Sequence, residues 1–165
     1  MKTIALPSGV REARPEDVAT IVTMVRELAA FERAAEQATM TEVQLYEALF
    51  GVDPPARALV VENGGGALVG FALWYRTFST WDGVPGIHLE DLWVRENRRG
   101  AGYGRRLLVA LARIAWHHGW TRIEWDVLRW NSQAIRFYES LDSTPQDEWL
   151  AYRLTDKAIE LLAEP

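Results

Sequence analysis

The segment Arg98-Arg99-Gly100-Ala101-Gly102-Tyr103-Gly104-Arg105-Arg106 concentrates glycine and arginine at one point of the chain. Glycine lets a backbone approach a ligand closely, and a helix start offers unpaired N–H groups at the positive end of its dipole. Flanking arginines add charge-assisted hydrogen bonds to phosphate oxygens. Such a loop suits a pyrophosphate. No Gly-Lys-Ser/Thr follows, so the Walker lysine and the magnesium-binding hydroxyl are missing. The glycines run G-x-G-x-G rather than G-x-G-x-x-G and lie late in the chain, which disfavours a dinucleotide fold.

Two further groups of residues carry proton-transfer chemistry. His88, Glu90 and Asp91 fall within the β-forming run Ile87-His88-Leu89-Glu90-Asp91-Leu92-Trp93-Val94. Side chains alternate along a strand, so Glu90 and Asp91 point to opposite faces unless a bulge intervenes, and His88 shares the face of Glu90. Asn131 and Tyr138 are nearly two helical turns apart, which puts both on one helix face with Ile135 between them. His117-His118, just before Gly119, reads as a pair of favourable dipole partners at a helix end. No second cluster of ligand residues accompanies them, so no metal is assigned. The chain has no cysteine, which excludes a disulfide framework and a thiol nucleophile.

The elements that must position these residues follow from patterning. Residues 10–13 read as a short first strand, and Pro15 suits a first helical position. Val18, Ile21, Val22, Val25 and Leu28 recur at helical spacing, giving a helix to about Arg33. Thr39 and Glu42 form a capping-box pattern before a second short helix ending near Gly51. Residues 57–62 and 67–77 read as a hairpin around Asn63-Gly64-Gly65-Gly66. Residues 87–94 form a strand that runs directly into the glycine–arginine loop. A helix follows, with Leu107, Leu108, Leu111, Ile114 and Ala115 on one face and Gly119 as its stop. Residues 121–128 read as a strand, 131–141 as a helix and 149–154 as a last strand before a C-terminal helix. Early strands joined by turns and later ones by helices imply an α/β fold whose mixed sheet is parallel in its second half. A strand–helix–strand unit sets a ligand crevice at the carboxyl end of its strands.

The 165 residues suit one compact domain, 1–165, without repeat or linker. No apolar run approaches the roughly 20 residues of a spanning helix, so no membrane partner is expected. Residues 1–10 lack the apolar stretch of a signal peptide, and a cytoplasmic setting is the expectation. With 23 acidic against 18 basic residues the net charge is −5, which argues against nucleic acid as a partner. One arginine-rich point on an acidic chain suggests an anionic cofactor used with a cationic substrate.

Arg99-x-x-Gly102-x-Gly104, between a strand and a helix, resembles the acetyl-CoA signature of the GNAT superfamily of N-acetyltransferases. The element order over nearly the whole chain is similar too. Asn131-Ser132-Gln133-Ala134-Ile135-Arg136-Phe137-Tyr138 resembles the superfamily's N-x-x-A-x-x-F-Y. The resemblance implies a mostly antiparallel mixed sheet, flanked by helices, with one parallel strand pair forming the cofactor cleft. It implies acetyl-CoA as co-substrate, its pyrophosphate held by backbone N–H groups of Gly100, Ala101, Gly102, Tyr103 and Gly104, with Arg98, Arg99 and Arg105 alongside. Leu92, Trp93 and Val94 would pair with the pantetheine arm and acetyl group. Asn131, Ala134 and Tyr138 would line the coenzyme channel.

An alkyl amine with a pKa of about 10.4 is almost wholly protonated at pH 7, and deprotonating it costs roughly 4–5 kcal/mol. A base therefore helps, and the departing thiolate needs a proton. Glu90, directly or through a water, is the candidate base, with Asp91 as its rival and His88 able to assist. Tyr138 is the candidate acid, for direct attack through a tetrahedral intermediate. Leu89-Glu90-Asp91, Glu32-x-x-x-Glu36-Gln37 and Trp81-Asp82-Gly83 look like the diamine (spermidine/spermine) and thialysine N-acetyltransferase branch. By that similarity Phe31, Glu32, Trp81, Glu90 and Asp91 would bracket a small-molecule amine: a diamine, polyamine or lysine-like amino acid. The branch also implies a homodimer. Two residues depart from it: Asp142 stands where a glycine follows the Phe-Tyr pair, and Arg33 puts positive charge near the amine site. The competing functions are acetylation of a protein N-terminus or antibiotic amine, and acetyl-CoA sensing without turnover.

Overall fold

The computed structural model describes residues 4–164. They group into two compact units, divided in sequence between Asp126 and Val127.

The first unit contains β1 (Val10–Glu12), α1 (Val18–Phe31), α2 (Glu42–Phe50), β2 (Arg57–Glu62), β3 (Leu68–Ser79), β4 (Val84–Val94), α3 (Tyr103–His118) and β5 (Ile123–Trp125). The sheet order is β1-β2-β3-β4-β5, antiparallel except for the parallel pair β4–β5. This is the mostly antiparallel mixed sheet with one parallel pair that the family resemblance implies; the turn-then-helix order predicts only that it is mixed and turns parallel late in the chain. Successive residues Ala58, Leu59, Val60 and Val61 of β2 are all buried, so both faces of the sheet are covered. On one face Ile21, Val22 and Met24 of α1 and Leu45 of α2 pack with Val60, Phe71 and Trp93. α3 packs across β2, β3 and β4.

Local chemistry explains the element ends. Pro15 opens a 3-10 turn ahead of α1, where Asp17 is buried in an ion pair with Arg11 at 2.6 Å. The capping box of α2 is Thr41 with Gln44, two residues later than the expected Thr39 and Glu42. Thr41 Oγ1 accepts from Gln44 N at 3.3 Å, and Gln44 Oε1 accepts from Thr41 N at 2.9 Å. Met40 and Leu45 flank that cap against one core, which supplies a hydrophobic staple the Thr39 register lacks.

The second unit contains α4 (Ser132–Glu139) and α5 (Asp156–Ala163). Residues 149–154 form no strand, contrary to expectation. Their aromatic and apolar run has β propensity, but a strand exists only with a ladder partner, and Trp149, Leu150 and Tyr152 remain exposed. Among the described residues no helix is long and apolar enough to cross a membrane.

Candidate active site

β4 is paired on both sides only as far as Leu89. Ile87, His88 and Leu89 face Ile123, Glu124 and Trp125 of β5. Toward β3 the register slips, because Leu89 faces Trp74 and Asp91 faces Leu73, leaving Glu90 as the extra residue of a bulge. Beyond it Asp91, Leu92, Trp93 and Val94 continue with β3 but not with β5. The parallel pair therefore parts at the bulge. Past that point the β5-facing edge of β4 offers main-chain donors and acceptors to an extended ligand.

The bulge sorts the two carboxylates. Glu90 is exposed and Asp91 half-buried. Asp91 is pushed up to about 6, first by burial and then by the negative charges of Glu90 and Glu32. Burial also raises Glu32, which ends α1. The structure thus brings both Glu32 and Glu90 within electrostatic reach of Asp91. Phe31 joins them by packing its ring 5.5 Å from that of Trp93. Trp81 stands apart at the β3–β4 turn, 88% exposed. From Val84 to Glu90, β4 spans about 20 Å at ~3.3 Å per residue.

The loop after β4 begins with Arg95, whose Nε lies 3.3 Å from a Glu27 carboxylate oxygen. Gly100 and Gly102 take φ of 80° and 78°, a left-handed geometry that favours glycine. Gly102 is the N-cap of α3 and supplies no side-chain cap. The first turn of α3 holds no acid, while Arg105 and Arg106 sit within it. Cations at a helix N-terminus oppose the dipole, by about 0.3–1 kcal/mol each, unless an anion lies between. A Cβ built at Gly100 or Gly102 meets nothing within 4 Å, so the backbone there is open to a ligand.

Arg99 behaves differently from its neighbours. Its guanidinium carbon lies 4.7 Å from the Phe31 ring centre and 4.5 Å from that of Trp93. Its Nε donates to the Val94 carbonyl at 3.1 Å. The side chain expected beside the pyrophosphate is engaged by two aromatic rings and the end of β4. Arg98 and Arg105 are exposed.

In the second unit, the Asn131 side chain caps α4 by accepting from Ala134 N at 3.1 Å. Tyr138, half-buried, packs its ring 5.3 Å from that of Phe137. Two residues of this geometry were not singled out from sequence. Glu27 accepts from Trp93 Nε1 at 3.1 Å, and Tyr75 stacks on His88 with centroids 4.8 Å apart. Strand alternation across the hairpin could have paired Tyr75 with His88 had the register been known; nothing in the sequence points to Glu27.

This strand, bulge, loop and helix are the setting for what the chain resembles. Residues 22–142 match the acetyltransferase (GNAT) family, and the chain belongs to that family as an acetyl-transferring enzyme. Within it, the chain is 35% identical to thialysine N-epsilon-acetyltransferase of Mus musculus, over 93% of this chain and 96% of that protein. It is 30% identical to spermidine/spermine N(1)-acetyltransferase-like protein 1 of Homo sapiens, over 87% of this chain but 22% of that longer protein. The chain therefore stands near the thialysine and spermidine/spermine branch. An integron cassette protein from the mobile metagenome of V. cholerae shares the fold, with a TM-score of 0.78 at 23% identity over 94% and 97% of the two chains.

Proposed function

We propose that the chain moves an acetyl group from acetyl-CoA to the primary amine of a small cationic substrate, a lysine-like amino acid or a diamine. The observation that carries this reading is the carboxylate group at the β4 bulge, where Glu90 and Glu32 help to hold Asp91 up to about 6. Like charges gathered around a half-buried carboxylate make a site short of a cation, and an ammonium group supplies one. The names of the thialysine and spermidine/spermine relatives support an amine of this kind.

The residues fit acetyl-CoA as the donor. Backbone N–H groups of residues 100–104, with Arg98 and Arg105 beside them, suit its diphosphate. The open edge at Leu92, Trp93 and Val94 suits the amide groups of its pantetheine arm. When bound, it supplies an activated acetyl thioester for direct attack by the amine. Glu90, on the exposed side of the bulge, takes the proton of the reacting ammonium. Asp91 and Glu32 hold the positive charge of the acceptor, with Phe31 beside them. Tyr138 is the proton source for the departing thiolate, and Asn131 fixes the helix that carries it. A homodimer goes with this reading, since exposed Trp149, Leu150 and Tyr152 supply apolar area for an interface.

The test pairs calorimetry against acetyl-CoA with coenzyme A release on thialysine, lysine, spermidine and a peptide with a free N-terminus. Saturable binding and turnover on thialysine or spermidine are expected. No uptake of acetyl-CoA, or turnover on the peptide alone, overturns the reading.

A further inference from the structure

The face of β4 that carries Glu90 also carries a second proton acceptor. His88 Nε2 lies 3.7 Å from Glu90 Oε2, with the His88 side chain 23% and the Glu90 side chain 54% exposed. The bulge contributes to this pairing, because Glu90 has no facing residue on β3. Across the ladder His88 faces Tyr75, and the two rings stack with centroids 4.8 Å apart and planes inclined by 26°. On the other side it faces Glu124 of β5, which is engaged with Arg122 at 3.2 Å. The Tyr75 hydroxyl is raised, first by burial and then by the negative charges of Glu90 and of Asp126, just past β5. Among the described residues, the titratable groups that face the imidazole are therefore Tyr75, Glu90 and Glu124, with Arg122 paired to Glu124 and Asp126 near Tyr75.

Resting on the amine-acetylation reading, we infer that His88 is the second station for the proton given up by the acceptor. The ammonium N–H bond breaks as an O–H bond forms on Glu90. That O–H then breaks as an N–H forms on His88 Nε2, and the imidazolium releases the proton to water. A gap of 3.7 Å is too long for a hydrogen bond, and either a rotation of the exposed Glu90 side chain or a bridging water closes it. The second station draws the proton onward once Glu90 has taken it. An ordinary carboxylate lies about 6 pK units below an alkyl ammonium and an ordinary imidazole about 4, so the imidazole is the closer match. It also returns Glu90 to its charged form for the next turnover. Tyr75 is a positioning residue here: its ring fixes the plane of the imidazole.

The test uses the full chain at saturating acetyl-CoA, with whichever of thialysine, lysine or spermidine the wild type acetylates fastest. His88→Ala is expected to lower kcat about 10- to 100-fold at pH 7, with the amine KM changed less than about 2-fold. Added imidazole is expected to restore part of kcat in His88→Ala but not in Glu90→Gln. Tyr75→Phe keeps the stack and is expected to keep the wild-type pH profile, whereas Tyr75→Leu shifts it. In parallel, His88→Ala made in the Glu90→Gln background is expected to cost less than about 2-fold further in kcat, because the two groups act in series. An unchanged pH profile in His88→Ala with no response to imidazole overturns the relay, as does a double variant in which the two losses multiply in full. Failure of the amine-acetylation reading shows separately, in a wild type that turns over none of the amines, and the relay falls with it.

Discussion

Arg99 holds its guanidinium carbon 4.5 Å from the centre of the Trp93 ring, and so ties the first residue of the glycine loop to the strand before it. Phe31, the last residue of α1, closes on the same guanidinium at 4.7 Å. The next residue in the chain is Glu32, one of the three carboxylates. A single side chain thus links the loop proposed for the diphosphate to the helix end proposed for the amine. The planar guanidinium stacks and donates from Nε at once, which an ammonium cannot copy. Arg99→Lys and Arg99→Met should therefore both raise the KM for acetyl-CoA, by about 10-fold, and lower stability by about 1 kcal/mol. Steady-state kinetics and thermal melts of the two variants check this. A lysine variant with wild-type KM would show that the charge reads phosphate directly.

Asp91 links stability and function with opposite signs. Its carboxyl is raised on folding from an ordinary 3.8 to about 6, so the folded chain binds that proton more tightly than the unfolded chain does. The favourable contribution is present below about pH 4 and is lost as pH rises through about 6. At pH 7.5 the ionised group costs up to about 3 kcal/mol, at about 1.36 kcal/mol per pK unit. Asp91→Asn should then melt higher than wild type at pH 7.5, with the gain shrinking toward pH 4, while its amine KM rises. In the wild type, the amine KM should climb as pH falls below 6. Melting curves across that range, and KM against pH, decide both points.

Asp142 adopts φ of 59°, the left-handed geometry that a glycine takes without steric cost. A non-glycine residue there costs roughly 1–2 kcal/mol, somewhat less for aspartate, which tolerates this region better than most. Asp142→Gly should raise the melting temperature by a few degrees and leave both KM values unchanged. A denaturation midpoint equal to wild type would mean that the turn carries no strain.

Where sequence reading succeeded, the signal was periodic or local. Val18 to Leu28 repeat at helical spacing, and Asn63-Gly64-Gly65-Gly66 punctuates a hairpin, so α1 and the β2–β3 turn were legible. The parallel β4–β5 pair followed from a helix lying between two strands. Less was legible where pairing decides the outcome. Nothing in Leu89-Glu90-Asp91 announces a bulge, which exists only because β3 and β4 slip against each other. Residue type could not rank Glu90 against Asp91 either; their difference is burial. Nor did spacing distinguish Arg99 from Arg98 and Arg105, since being held by Phe31 and Trp93 depends on how α1 packs on β4. The segment 149–154 shows the converse, a β-forming composition without a ladder.

Gly102 offers the sharpest check on the diphosphate seat, because the chain supplies its own control. Gly102 and Gly66 share nearly the same backbone, with φ of 78° and 79°, and an added Cβ meets nothing within 4 Å at either. An alanine at either position therefore pays the same left-handed strain, about 1 kcal/mol, without a clash inside the protein. Their surroundings differ: Gly66 lies in the exposed β2–β3 turn, while Gly102 caps α3 where the N–H groups are proposed to meet an anion. Gly102→Ala and Gly66→Ala should thus lose similar amounts of stability. Only Gly102→Ala should weaken acetyl-CoA binding, by about 10-fold or more, because its methyl group would enter the space proposed for the diphosphate. Calorimetric titration of both variants, matched by thermal melts, reads the two effects separately. Equal acetyl-CoA affinity in the two variants would move the diphosphate away from the start of α3.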